Sequence, residues 1–237
     1  MSSHDFSPSR SKQPQRAVRK PRADGVESRR AILYAAATLA TTRGLEALSI
    51  GELARHIGMS KSGLFAHFKS KEELELATIE AAAEVFQAEV LRPAARSPEG
   101  LARIHALSEA FLGHLERRVF PGGCFFANVS VQLASSPGRP RDRVTEFMRA
   151  WHAQFSDALG QACEAGELPR GAAIDQLAFE VTAMLVRANF TWIVTGDPHT
   201  LDQARTGIKN TLERAGGKSG NTKQSPGKRT ARSGPRG

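Results

Sequence analysis

The chain has 237 residues, with 33 Lys and Arg against 24 Asp and Glu and a formal net charge of +9, which bounds it to one large domain or two small ones with an ordinary core. The apolar share of 40% is that of a globular protein, and no uninterrupted apolar run approaches the roughly 18 to 20 residues of a membrane-spanning helix, so a membrane protein is not expected. Two cysteines, Cys124 and Cys163, cannot build a disulfide framework, and the Ser-, Arg- and Lys-rich start lacks the apolar segment of a secretory signal; both point to a reducing, cytoplasmic setting.

The charge is unevenly placed. Residues 1–25 carry six basic and two acidic groups, and residues 216–237 carry six basic and no acidic ones. Both ends are rich in Ser, Pro, Gly and Lys/Arg and almost free of large apolar residues, which predicts disordered basic tails. Residues 26–71 hold seven basic and three acidic groups, and residues 72–215 fourteen and nineteen, so a small basic unit precedes a larger acidic one. Between the tails Ala, Leu, Glu and Arg abound without alternating apolar and polar runs, and an all-α fold with no sheet is predicted.

In chain order, a first helix is predicted from about Val26 to Thr42, with Ile32, Leu33, Ala36 and Leu39 on one face and Arg43-Gly44 ending it. A short helix from about Ile50 to Ile57 is broken by Gly58. Ser60 is placed to cap a third helix, about Lys61 to His67, and Ser70 to cap a long fourth that opens on Lys71-Glu72-Glu73, where carboxylates suit the helix dipole. Two short helices separated by Gly-Met-Ser form a helix-turn-helix pattern. Ala54 is small where the helices approach, and Ile50, Leu53, Ile57, Leu64 and Phe68 supply a miniature core. Lys61, Ser62, Phe65 and His67 are then free to face outward, with Gly63 admitting close backbone approach. Such a helix can enter a major groove, its first residues meeting base edges. A plain helical hairpin within a core is the competing reading of these residues.

Residues 28–77, SRRAILYAAATLATTRGLEALSIGELARHIGMSKSGLFAHFKSKEELELA, closely resemble the DNA-binding domain of TetR-family transcriptional regulators. The resemblance implies that Ser49 and Lys71 hold phosphates and that Ser60, Lys61, Ser62, Gly63, Phe65 and His67 lie on the recognition helix. Position 65 departs from the family pattern, with Phe where Tyr is usual, so the phosphate contact of that hydroxyl is replaced by apolar contact. The resemblance further implies a homodimer that binds a palindromic double-stranded operator, a repressor by family tendency, released by a small-molecule effector. Arg16, Arg19, Lys20 and Arg22 precede the first helix closely enough to reach an adjacent minor groove.

Residues 72–215 are expected to form the regulatory and dimerisation domain, divided into about six helices by breaks at Arg92-Pro93, Ser97-Pro98, Pro121-Gly122-Gly123, Ser136-Pro137-Gly138, Pro169-Arg170-Gly171 and Gly196-Asp197-Pro198. The phrase FPGGCFFANVS followed by SSPGRPRDRV is similar to one branch of TetR-type C-terminal domains. From Ala172 to Thr195 the sequence carries two apolar stripes. One contains Val181, Leu185, Ala188 and Trp192; the other is Phe179, Val186, Phe190 and Ile193. A helix apolar on two faces must bury both, and a second subunit is the economical cover, with Val181, Leu185, Ala188 and Trp192 assigned to the interface. Phe111, His114, Cys124, Phe125, Trp151 and Phe155 are candidates to line a pocket for a largely apolar effector, against the plainer reading of a core cluster. No Cys/His spacing suits a metal ion, no cofactor is implied, and no nucleophile, phosphate-loop or zinc-protease motif points to an enzyme. A sequence-indifferent architectural nucleic-acid binder working through the tails is the alternative function, with a helical enzyme behind it.

Overall fold

The computed structural model describes residues 21–217, with side chains from residue 27. The predicted tails beyond those limits, including Arg16, Arg19 and Lys20, lie outside the described residues. Ten α-helices run in order: α1 Pro21–Arg43, α2 Ile50–His56, α3 Lys61–Phe65, α4 Lys71–Phe86, α5 Arg92–Ala94, α6 Leu101–Glu116, α7 Phe125–Gln132, α8 Arg139–Glu164, α9 Ile174–Thr195 and α10 His199–Ala215. No strand occurs among the described residues. Helix α1 begins at Pro21, earlier than the composition of the N-terminal segment predicts. A proline costs no hydrogen bond at the first helical position.

The first three helices pack around Ile32, Ala36, Leu39, Ala40, Leu53, Leu64 and Phe68, all buried. Gly58 takes the left-handed conformation, φ 69°, that ends α2 and aims the chain into α3. Helix α4 crosses α1 and carries the chain into the body. It does not break at Pro93 as predicted: a π-helical turn, Gln87–Leu91, lies between α4 and α5, with the Arg92 amide reaching back to the Gln87 carbonyl. The wider turn comes just before Pro93, where a regular α-turn would set the ring against a carbonyl one turn back.

The body is built on aromatic contacts. Phe86 of α4 meets Phe111, His114, Phe126, Phe147 and Trp151 at centroid distances of 5.0 to 6.3 Å, and Trp151 packs edge-on against Phe155. Helix α9 runs through the middle, burying Leu177, Ala178, Val181, Leu185 and Ala188. By length and composition alone it is apolar enough to cross a membrane, although Glu180 and Arg187 interrupt its apolar run. Gly207 of α10 lets the last two helices close up: a Cβ there would lie 2.7 Å from the Met184 sulfur.

Candidate nucleic-acid interface and its attachment to the body

The outward end of the reading head is α3. Ser60 caps it, its hydroxyl accepting from the Gly63 amide at 3.0 Å and lying 3.2 Å from the Ser62 hydroxyl. A Cβ on Gly63 would sit 3.0 Å from that hydroxyl, so Gly63 makes room for the cap. Lys61, Ser62 and Phe65 are exposed, and Phe65 leaves 45% of its surface free, an unusual state for a ring that size, with the Lys61 ammonium 5.9 Å from its centroid. Ser49 caps α2 through the Glu52 amide and Ser70 caps α4 through the Glu73 amide, both at 3.1 Å.

Two predicted contact residues have additional duties. Lys71 donates to the Glu46 carbonyl at 2.6 Å and lies 3.6 Å from Glu75, pinning the start of α4 to the loop before α2. His67 falls beyond the end of α3, half-buried, and its carbonyl accepts from Arg29, whose guanidinium stacks 4.5 Å over Phe68. Sequence reasoning passed over Arg55 and His56, exposed at the end of α2, and Lys69, exposed beside Ser70. Their signal was the basic excess of residues 26–71.

The head is joined to the body by a polar seam centred on α7. The Leu45 amide donates to Gln132 Oε1 at 2.9 Å. Four residues earlier on α7, Asn128 donates to the Gly122 carbonyl and, at 3.5 Å, to the Thr41 carbonyl. The buried Asn189 of α9 donates to Asn128 at 3.3 Å and accepts from the Cys124 amide at 2.8 Å. Gly122 is required where it is, since a Cβ would lie 2.0 Å from the Thr41 carbonyl oxygen. A continuous set of side-chain and backbone bonds thus links the end of α1 to the middle of α9.

The predicted pocket residues pack closely on one another. Phe111, His114, Cys124, Phe125, Trp151 and Phe155 are all buried, and rings fill the space between them. Aromatic residues at helical spacing produce the same pattern whether they face a void or one another, and here they face one another. Burial pushes the Cys124 thiol up to about 11, away from a reactive thiolate. Burial likewise lowers His114 to about 4, and its Nδ1 has no hydrogen-bond partner among the described residues.

The two apolar stripes of α9 differ in exposure within the protomer. Val181, Leu185 and Ala188 are buried within their own chain, and half-buried Trp192 donates Nε1 to the Leu115 carbonyl at 3.1 Å. The uncovered stripe is the other one. Phe179, Phe190, Ile193 and Val194 are exposed, Val194 by 84%, and with Ala183 and Val186 they lie along one face at helical spacing.

The sequence pattern of bacterial regulatory proteins of the tetR family matches residues 32–78, and that of the tetracyclin repressor-like C-terminal domain matches residues 100–208. The chain belongs to the tetR family. It is a DNA-binding transcriptional regulator of the ligand-responsive, homodimeric kind that binds operator DNA. Both matches lie outside the tails, so a binder working through tail charge alone is not favoured. Solved structures share the fold. A TetR transcriptional regulator from Chloroflexus aurantiacus J-10-FL superposes with a TM-score of 0.75 at 24% identity, covering 81% of this chain and 97% of that one. AibR, solved with isovaleryl coenzyme A and operator DNA, gives 0.61 at 23% identity, covering 78% and 96%. SCO4454, a TetR-family regulator from Streptomyces coelicolor, gives 0.67 at 16%, covering 80% and 97%. No curated protein sequence matches the chain.

Proposed function

We propose that this regulator represses transcription in the cytoplasm, without a catalytic step, by presenting two copies of α3 to inverted half-sites of a palindromic operator. The observation that carries the reading is the outward tip of α3: a capped helix start with Lys61, Ser62 and Phe65 exposed on a head whose packing residues Leu53, Leu64 and Phe68 are buried. Lys61 and Ser62 reach base edges, and Phe65 meets sugar or a thymine methyl. Ser49, Ser60 and His67 flank the groove, and Lys71 holds a phosphate with donors left over from Glu46.

The second copy covers the exposed stripe of α9, with α10 alongside, in a four-helix interface. Its support is the run of Phe179, Val186, Phe190 and Ile193 on a face that the protomer leaves open. The operator-bound AibR with isovaleryl coenzyme A supports a chain of this fold engaging effector and operator together. Release then requires the effector to bind the state with misplaced heads more tightly than the DNA-competent one.

DNA selected from a random pool by the full chain provides the test. Replacing Lys61 with Ala is expected to weaken the selected operator by about 1 to 3 kcal/mol and to relax preference at one base pair of each half-site. Parent-like affinity and preference in Lys61→Ala and Phe65→Ala together would remove α3 from the reading role.

A further inference from the structure

A cleft of about 550 Å³ lies between α1 and the end of α4, with Val119 among its lining residues. Its size falls in the range of small-molecule sites. Two features of the sequence open it. Ala31 and Ala37 of α1 and Ala81 of α4 line it with small side chains, and the π-helical turn Gln87–Leu91 contributes Ala88 and Glu89 to the lining. Turns of this kind widen a helix locally and recur at functional sites.

The walls have a definite chemistry. Tyr34 leaves 46% of its surface open while its hydroxyl donates to the Val119 carbonyl at 2.9 Å and its ring packs 5.6 Å from Phe120. The ring is therefore held in place as a wall. Three carboxylates face the cleft with one guanidinium: Glu27 and Glu84 have no ion-pair partner among the described residues, Glu89 is paired with Arg117 at 2.7 Å, and Arg30 is the lining cation. An anionic effector would meet two unpaired carboxylates. A cation with an apolar body gains from them and from the ring face, which attracts positive charge through its quadrupole.

We propose that this cleft binds an apolar organic cation and that its occupancy displaces the reading head. The inference rests on the regulator reading for its consequence, though not for the binding itself. Its walls are the two helices that set the head against the body, and Val119 directly precedes the Phe120–Cys124 segment, whose Gly122 and Cys124 amides donate to Thr41 and Asn189. A molecule wedged there changes the α1–α4 spacing at the helix that carries the head.

The test is calorimetric titration of the full-length protein with tetraphenylphosphonium and with tetraphenylborate, its anion of the same shape. The phosphonium is expected to bind and the borate not to compete. Tyr34→Leu is expected to weaken binding on the order of tenfold and Tyr34→Phe to retain it. Glu84→Gln should weaken it several-fold, and Ala88→Trp, at an exposed position, should block it while leaving the melting temperature unchanged. Saturation should lower operator affinity roughly 5- to 150-fold. Equal affinity for the borate, or parent-like binding in Ala88→Trp, overturns the site; binding with unchanged operator affinity overturns its control of the head. A protein that selects no DNA sequence yet binds the phosphonium would sink the regulator reading and leave the site standing.

Discussion

Phe86 sits against five other rings in the body, whereas the seam between the body and the reading head is held by Gln132 on the Leu45 amide, Asn128 on the Thr41 carbonyl and the Gly122 amide on the Thr41 hydroxyl. Ring packing is non-directional and scales with buried area. Hydrogen bonds to single backbone atoms are directional, and each contributes about 0.5 to 1.5 kcal/mol net. The body is thus built to resist deformation, while the seam is built from contacts that hold one head position and let it go at modest cost. Energetic coupling needs such an element with discrete arrangements.

The comparison can be broken at either side. The largest effect is expected in the ring cluster, where Phe86→Ala should destabilise the fold by about 3 to 5 kcal/mol, read as a fall in the denaturant midpoint. A loss below about 1 kcal/mol would mean that the rings are not the body's mechanical core. Phe190→Glu, on the uncovered stripe of α9, should leave the protomer folded and separate the dimer, since an unpaired charge in a buried interface costs several kcal/mol. Sedimentation reads the mass, and operator binding should fall with it; a Phe190→Glu dimer would place the partner elsewhere.

His114 tests how dry the ring cluster is. Its folded pKa lies near 4 through burial, against about 6.5 in an unfolded chain. The unfolded state therefore takes up the proton first, and stability contributed by the neutral ring is complete above about pH 6.5 and lost as pH falls toward 4. The difference in unfolding free energy between the parent and His114→Leu should change by up to about 3 kcal/mol across that window, as measured by chemical denaturation at each pH. A flat difference would mean that the imidazole is solvated. The smallest effect belongs to the seam: Gln132→Ala should cost about 1 kcal/mol of stability yet shift operator affinity, as the Leu45 amide loses its partner. Unchanged DNA binding in Gln132→Ala and Asn128→Ala would show that the seam does not set the head.

Helix ends at Gly44, Gly58 and Gly196 were legible because glycine punctuates them, whereas Pro93 did not end its helix, and the reading head was legible because its short-range pattern of caps, glycine turn and apolar spacing is self-contained. The body resisted on two points with one cause. Leu185 and Phe190 are equally apolar, and only the helices that pack on α9 decide which faces inward; the sequence does not display those neighbours. Phe111, Trp151 and Phe155 similarly give no sign of whether they enclose space or fill it. The seam was invisible for another reason, since Gln132 and Leu45 are 87 residues apart and Asn189 and Cys124 are 65 apart. Asn189, a buried polar side chain among the apolar residues of α9, needs such a distant partner. At the start of the chain, tail-like composition hid the first turn of α1.

As the proposed dimer interface, the open face of α9 also governs how the protein behaves with dose. A newly made protomer displays Phe179, Phe190, Ile193 and Val194 to water until it meets a second copy, so its lifetime against aggregation and proteolysis depends on how soon that encounter occurs. For an obligate pair, folded stability cannot be separated from protomer concentration. Where protomers are scarce, halving the supply cuts the number of paired molecules to roughly a quarter by mass action, which makes promoter occupancy a steeper function of gene dosage than a single-chain regulator would give.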